Sequence, residues 1–163
     1  MLRKSIVIIA LIIACALPSP AQHIKARDWS GSLQLHTGSR RSFGIGAGAQ
    51  YVPLEYLRAD LNVNYYFAFN YDLNLNLHYL VDLYKKRLTF YPFIGFTAAN
   101  MNSYPKVIDG IERDERESHI GMNLGAGIEY RVDYDIAVML EARRSLIKHI
   151  GMTDISAGVK LTF

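Results

Sequence analysis

The sequence predicts an all-β protein, a barrel of eight antiparallel strands. Two observations support this. Apolar residues recur at every second position from Trp29 onward, and eight such segments follow one another with turn-like connections between them. The alternation is clearest at the C-terminus, where one face of the last segment carries Ile155, Ala157, Val159, Leu161 and Phe163. Each predicted strand therefore has one apolar face and one polar face.

The predicted strands are long. They cover residues 30–38, 41–52, 56–68, 71–82, 87–100, 117–131, 134–144 and 152–163. Most approach or exceed the roughly 9 to 11 residues with which a tilted strand crosses a bilayer, whereas strands of soluble proteins average about 5 to 6. The sequence therefore predicts an eight-stranded antiparallel up-and-down transmembrane β-barrel.

The N-terminus has the pattern of an export signal. Basic Arg3 and Lys4 precede an apolar stretch, and small residues flank Pro20 at Ser19 and Ala21. Cleavage after Ala21 is expected. The predicted organisation is a signal peptide at 1–21, a short periplasmic N-terminal stretch at 22–28 and the barrel at 29–163.

The single cysteine, Cys15, lies within this leader, so the mature chain is expected to hold no disulfide. The run from Ile12 to Cys15 also fits a lipobox, in which the cysteine becomes a lipidated N-terminus, and this alternative stays open. The formal charge of +3 falls to about neutral without the leader. Nucleic acid is therefore not an expected partner.

The connections predict an orientation. Those after the second, fourth and sixth segments are short, whereas the opposite rim carries the longest, Met101 to Arg116, with a charged run from Ile108. Short periplasmic turns and longer external loops are typical of outer-membrane barrels. Both termini are therefore expected in the periplasm, and the 101–116 loop is a candidate contact for an extracellular partner.

Aromatic residues gather near the predicted strand ends, as two interfacial girdles require. One set comprises Tyr51, Tyr56, Tyr79, Tyr84, Tyr130, Tyr134 and Phe163, and the other Phe43, Tyr65, Phe67 and Phe69.

The chain resembles the small outer-membrane β-barrels of Gram-negative bacteria, the OmpX and OmpA transmembrane-domain type of the porin family. The segments that carry the likeness are 43–51, 88–95, 121–130 and 158–163. The resemblance implies an integral outer-membrane protein that contributes to envelope integrity or to surface interaction. It also implies outer-membrane lipid, lipopolysaccharide, periplasmic chaperones and the barrel-assembly machinery as partners. Val159, Leu161 and Phe163 resemble the terminal signal that this machinery recognises.

Charged residues of both signs fall on the polar face, which points into the barrel if the apolar face meets lipid. They are Arg58, Asp60, Glu129, Arg131, Glu141, Arg143, Asp154 and Lys160. Eight strands leave an interior just wide enough for side chains to fill. We therefore expect a closed, salt-bridged lumen, with glycines such as Gly44, Gly46 and Gly127 making room for long side chains. A narrow gated channel is the alternative.

Two other functions fit parts of the sequence pattern. A soluble lipocalin-like periplasmic barrel would turn the apolar face inward around a ligand. The alternation of apolar and polar residues does not by itself exclude this arrangement. An outer-membrane lipid-modifying hydrolase could use Ser145 and His149, which fall in one predicted outer loop. No nucleophile-elbow signature accompanies them, so no catalytic residue and no enzymatic activity are expected.

Neither a metal nor a cofactor is predicted. His36, His78, His119 and His149 have no metal-ligand spacing. The Gly-x-Gly-x-Gly string that begins at Gly44 lies within an alternating strand and not at a strand-to-helix turn, so it does not predict a nucleotide site.

Overall fold

The computed structural model of the chain describes residues 27–39, 41–67, 70–84, 87–102, 106–108, 111–113, 116–147 and 150–163. The strands are β1 (Trp29–Gly38), β2 (Arg41–Leu54), β3 (Leu57–Tyr66), β4 (Asn70–Tyr79), β5 (Val81–Tyr84), β6 (Leu88–Asn102), β7 (Lys106–Ile108), β8 (Ile111–Arg113), β9 (Arg116–Arg131), β10 (Ile136–Ile147) and β11 (Ile150–Thr162). The predicted leader and the lipobox cysteine Cys15 lie outside these residues.

The strands close into one barrel. The pairing order is β4-β3-β2-β1-β11-β10-β9-β6, and β6 pairs back to β4, while β5 continues β4 along β6. Because β4 and β5 follow one another along the same partner strand, they count as one strand of the barrel. All pairs of barrel strands are antiparallel. The predicted eight-stranded up-and-down barrel is confirmed.

The register determines how steeply the strands tilt. Successive register partners lead once round the barrel from Trp29 on β1 back to β1 at Ser39, ten residues further along the chain. A stagger of this size in an eight-stranded barrel corresponds to a tilt of about 40°. We call the barrel end with Trp29 and Phe163 the terminal rim, and the end with the β7–β8 hairpin the hairpin rim.

One predicted loop is wrong. β10 runs to Ile147 and β11 begins at Ile150, so the expected outer loop after residue 144 is largely strand, because the pairing of β10 with β11 continues to these residues. The predicted connection from 101 to 116 is close to the observed one, since β6 reaches Asn102 and β9 begins at Arg116, and it contains the β7–β8 hairpin.

The apolar faces point outward. Leu33, Leu75 and Leu124 are 71, 54 and 60 % exposed, and outward apolar residues on the other barrel strands are exposed as well. The polar residues that alternate with them are buried. A soluble barrel has the opposite arrangement, with apolar side chains inside and polar side chains outside. The large apolar outer surface of this barrel requires lipid around it. Among the described residues, no helix is long and apolar enough to cross a membrane.

The interior is mostly polar and contains two apolar clusters. Val52, Leu80, Tyr91, Phe93 and Met139 form a buried cluster in the half that adjoins the terminal rim. A second cluster, Ala99, Ile147 and Met152, lies near the hairpin rim. The alternation of the sequence predicted the polar interior but not these apolar clusters.

Candidate functional site

The centre of the terminal half of the lumen is an ion cluster contributed by three strands. Arg58 on β3 donates from Nη1 to Oε2 of Glu129 on β9 at 2.6 Å. Lys160 on β11 donates from Nζ to the other oxygen, Oε1. All three side chains are at most 5 % exposed. One carboxylate thus binds two cations that approach from opposite sides of the barrel.

Arg58 is held by two rings as well as by Glu129. Its Nε lies 3.2 Å from Nδ1 of His78, and its Cζ lies 4.5 Å from the centroid of the Tyr91 ring. His78 in turn stacks on Tyr91 at 5.1 Å and 9°. Because a guanidinium has no acceptor, Nδ1 of His78 must accept this bond, which leaves any ring hydrogen on Nε2.

Glycines on β9 create the space for these rings. A Cβ at Gly127 would lie 2.4 Å from the Tyr91 ring, and one at Gly125 would lie 2.4 Å from the Phe93 ring. Both distances are well inside van der Waals contact, so only glycine leaves room for the two rings, which lie over these register partners on the neighbouring strand. This agrees with the expectation that inward glycines make room for long side chains.

Asp60 is bound by amides and not by a strong cation. Its Oδ1 accepts from Gln50 at 3.1 Å, and its Oδ2 accepts from Asn62 at 2.6 Å and from Asn76 at 3.2 Å. His78 Nε2 is 3.9 Å from the same carboxylate. Three hydrogen bonds replace the water that this buried carboxylate loses, as a buried charge requires.

An amide ladder continues from Asp60 toward the hairpin rim. Asn123 on β9 donates to Asn74 at 2.8 Å and to Asn76 at 3.2 Å, both on β4, and thereby bridges the intervening strand β6. Asn64 and Asn74 both donate to Oδ1 of Asp72, at 2.7 and 2.5 Å. The middle of the lumen is therefore crosslinked by neutral amides as well as by ions.

Arg143 forms the ion cluster nearest the hairpin rim. Its Nη2 lies 3.5 Å from Asp154, 3.7 Å from Asp72 and 3.2 Å from the hydroxyl of Tyr66. Asp72 was not among the residues singled out from the sequence. Its parity with Asn74, Asn76 and His78 was the signal that could have identified it.

The remaining predicted lumen residues differ in their surroundings. Glu141 is buried and accepts from the Tyr91 hydroxyl at 3.0 Å. Arg131 ends β9 at the terminal rim, where its side chain is only half-buried. The structure thus brings Arg58, Glu129 and Lys160 together and leaves Arg131 at the mouth.

Ser145 does not lie in an outer loop, contrary to the prediction. It is in β10, its side chain is fully buried in the lumen, and its hydroxyl donates to Oδ1 of Asn123 at 2.8 Å. His149 lies outside the described residues. Within the described part of the chain, no three His, Cys, Asp or Glu side chains are grouped as a metal site would need.

The predicted assembly signal lies on the outer surface at the terminal rim. Val159, Leu161 and Phe163 are 45, 47 and 82 % exposed and follow one outward row. The backbone N–H of Phe163 donates to the carbonyl of Trp29 at 2.9 Å, which joins the two ends of the barrel. The Phe163 ring passes over Gly31, where a Cβ would be 3.8 Å away.

A closed antiparallel barrel with an apolar exterior and a polar interior defines a transmembrane β-barrel protein. The sequence matches the outer membrane protein beta-barrel domain family over residues 68–163. The chain therefore belongs to this family and is an integral protein of the outer membrane.

Solved structures show the same fold. The N-terminal β-barrel domain of Pseudomonas aeruginosa OprF is 15 % identical with a TM-score of 0.68, covering 82 % of this chain and 97 % of that one. Neisserial surface protein A is 16 % identical with a TM-score of 0.63, and the match covers 83 % of this chain and 96 % of that one. Ail of Yersinia pestis is 11 % identical with a TM-score of 0.58, covering 85 % and 100 %. A comparison with curated proteins found no match.

Proposed function

We propose that the protein is a non-conducting outer-membrane barrel that contributes to envelope integrity and has no enzymatic activity. The observation that carries this proposal is the burial of the lumen side chains. Arg58, Gln50, Asn74 and Tyr91 are each 0 % exposed. A water-filled pore would leave such groups accessible, as in the much wider porin barrels.

Connectivity across the lumen supports the same proposal. Arg58 of β3 and Lys160 of β11 both bind Glu129 of β9, and Asn123 of β9 binds two asparagines of β4 over the intervening β6. Ion passage would require several of these contacts to break together. Removing one partner of a buried charge pair costs about 3–5 kcal/mol, so such opening is rare at equilibrium.

Planar-bilayer recording tests the proposal. The folded protein should give no stable single-channel steps, whereas a sixteen-stranded porin in the same membrane should give large ones. Heat-modifiable gel migration of the inserted sample would confirm that it is folded. Reproducible steps from the folded protein would contradict the proposal and favour the narrow gated channel.

We further propose a surface-interaction role for the β6–β9 arm, defined as residues 100–121. β9 last pairs with β10 at Met122, and β6 last pairs with β4 at Asn100. β6 and β9 nevertheless remain paired with each other as far as Asn102 and Arg116. The arm therefore continues as a two-stranded ribbon after its neighbours have ended, and its connection carries many charged residues.

Shortening this arm tests the second role. Replacing residues 103–115 by a two-residue turn removes the tip and leaves the barrel ladders intact. Adhesion of bacteria that express the shortened protein should fall relative to bacteria that express equal amounts of the full chain. Unchanged adhesion to all host surfaces tested would leave only the envelope role.

A further inference from the structure

One charged side chain lies on the apolar outer surface of the barrel. Arg144 of β10 follows the inward-pointing Arg143, and its side chain is exposed between Ala142 and Leu146 in the same outward row. Among the exposed strand residues whose side chains the structure places, every other one is uncharged. A cation on the lipid-facing surface is unfavourable unless it reaches a polar partner.

Arg144 lies near one boundary of the membrane. It is eight residues along β10 from Ile136, which corresponds to about 20 Å along the axis at the tilt of this barrel. The apolar band of such barrels is about 25 Å tall. Since Ile136 adjoins the terminal rim, the guanidinium is close to the headgroups on the hairpin side, within reach of a long side chain.

The described neighbours of Arg144 on the outer surface are uncharged, and most of them are apolar. Thr153 of β11 is its register partner and also faces outward. The guanidinium extends over β11, where Nη2 lies 3.1 Å from the place that a Cβ of Gly151 would occupy. No carboxylate of the described residues forms an ion pair with Arg144. Within the described part of the chain, its positive charge is therefore not neutralised by a carboxylate, and an anion from outside the chain can bind it.

An apolar depression lies directly below this cation, toward the membrane centre. It has a volume of about 300 Å³ and is lined by Phe90, Ala126, Gly127, Ile128, Leu140, Glu141, Ala142 and Ile155. The Glu141 carboxylate itself accepts a hydrogen bond from Tyr91 inside the lumen. Ala142 is the register partner of both Ala126 and Ile155. The two small alanines form the floor, because larger residues surround them on four strands, β6, β9, β10 and β11.

We propose that Arg144 and this depression form one binding site for a phosphate-bearing lipid of the outer leaflet. The guanidinium and the Thr153 hydroxyl bind the phosphate, and an acyl chain lies over Ala126 and Ala142. A lipid is favoured over free phosphate because the cation and the depression are contiguous on one membrane-embedded surface. The site lies outside the lumen, so it stands whether or not the barrel conducts.

Native mass spectrometry of the folded full chain in nonionic detergent tests the site. The probes are phosphatidic acid, diacylglycerol with the same chains, and inorganic phosphate. The wild type should retain phosphatidic acid in preference to diacylglycerol. Arg144→Gln should weaken phosphatidic acid binding about tenfold, the size of a lost charge-assisted hydrogen bond. The exposed Arg87 near the terminal rim supplies the control Arg87→Gln, which should behave as the wild type.

A second pair of variants tests the acyl-chain half. Ala142→Phe fills the depression and leaves the cation in place, so it should also weaken phosphatidic acid binding. Ala49→Phe adds the same ring at an exposed position on β2, away from the site, and should have no effect. Equal retention of phosphatidic acid by Arg144→Gln and by the wild type would overturn the proposed site. Full displacement by inorganic phosphate, with Ala142→Phe unaffected, would show a free-anion site and also overturn it.

Discussion

Arg58 and Glu129 form an ion pair of 2.6 Å between β3 and β9, two strands that are not neighbours in the barrel. The pair therefore spans the lumen. Glu129→Ala should destabilise the folded barrel by about 3–5 kcal/mol, because Arg58 and Lys160 then lose their shared carboxylate while buried. Urea unfolding in detergent micelles would measure this change.

Glu55 supplies the matched control for this prediction. It is an exposed glutamate in the turn between β2 and β3, so Glu55→Ala should change stability by less than about 0.5 kcal/mol. Replacing both partners, Arg58→Met with Glu129→Leu, should recover part of the loss, since no unpaired arginine remains. Equal unfolding midpoints for Glu129→Ala and Glu55→Ala would show that the ion cluster contributes nothing.

Gly127→Ala tests the packing of Tyr91 in the lumen. The added methyl would meet the ring at 2.4 to 2.6 Å, so about 1–3 kcal/mol of stability should be lost through overpacking. Gly31→Ala should be tolerated, because its Cβ would make only ordinary van der Waals contacts, 3.8 Å from the Phe163 ring and 4.0 Å from the Gly48 carbonyl oxygen. Adding Tyr91→Leu should make the Gly127→Ala change less costly. Strictly additive losses would contradict the proposed contact.

Ser145→Ala distinguishes a structural serine from a nucleophile. The hydroxyl donates to buried Asn123, so its removal should cost about 1–3 kcal/mol of stability by leaving the amide oxygen unsatisfied. The wild type and the variant should both fail to hydrolyse phospholipid in a fatty-acid release assay. Hydrolysis by the wild type that disappears in the variant would overturn the non-enzymatic proposal.

Phe163→Ala should impair insertion more than folded stability. The ring is 82 % exposed at the rim, so few folded-state contacts are lost, whereas the resemblance gives this residue a role in recognition by the assembly machinery. The amount inserted in cells should fall, while the unfolding midpoint of the purified folded fraction stays close to that of the wild type. Tyr134→Ala, at an aromatic 92 % exposed on the same rim, is the control. A similar loss of insertion in both variants would argue against a specific terminal signal.

The sequence by itself determined the fold class and the face on which each strand residue lies. Side-chain alternation is a local property of an extended chain, so parity alone placed Arg58, Glu129 and Lys160 on the polar face. The strand ends were less well determined. β10 extends past Ser145 to Ile147 because it stays hydrogen-bonded to the neighbouring strand β11.

Only the tertiary structure decided which residues meet across the lumen. Arg58 and Glu129 are 71 residues apart in sequence, and their contact depends on the ten-residue stagger that accumulates round the closed barrel. The same stagger brings Asp72 to Arg143, whereas the direct pairing of β6 with β9 aligns Tyr91 with the space left by Gly127. Parity specifies the face of each residue, whereas register and closure specify its height and partner, and these are properties of the whole barrel.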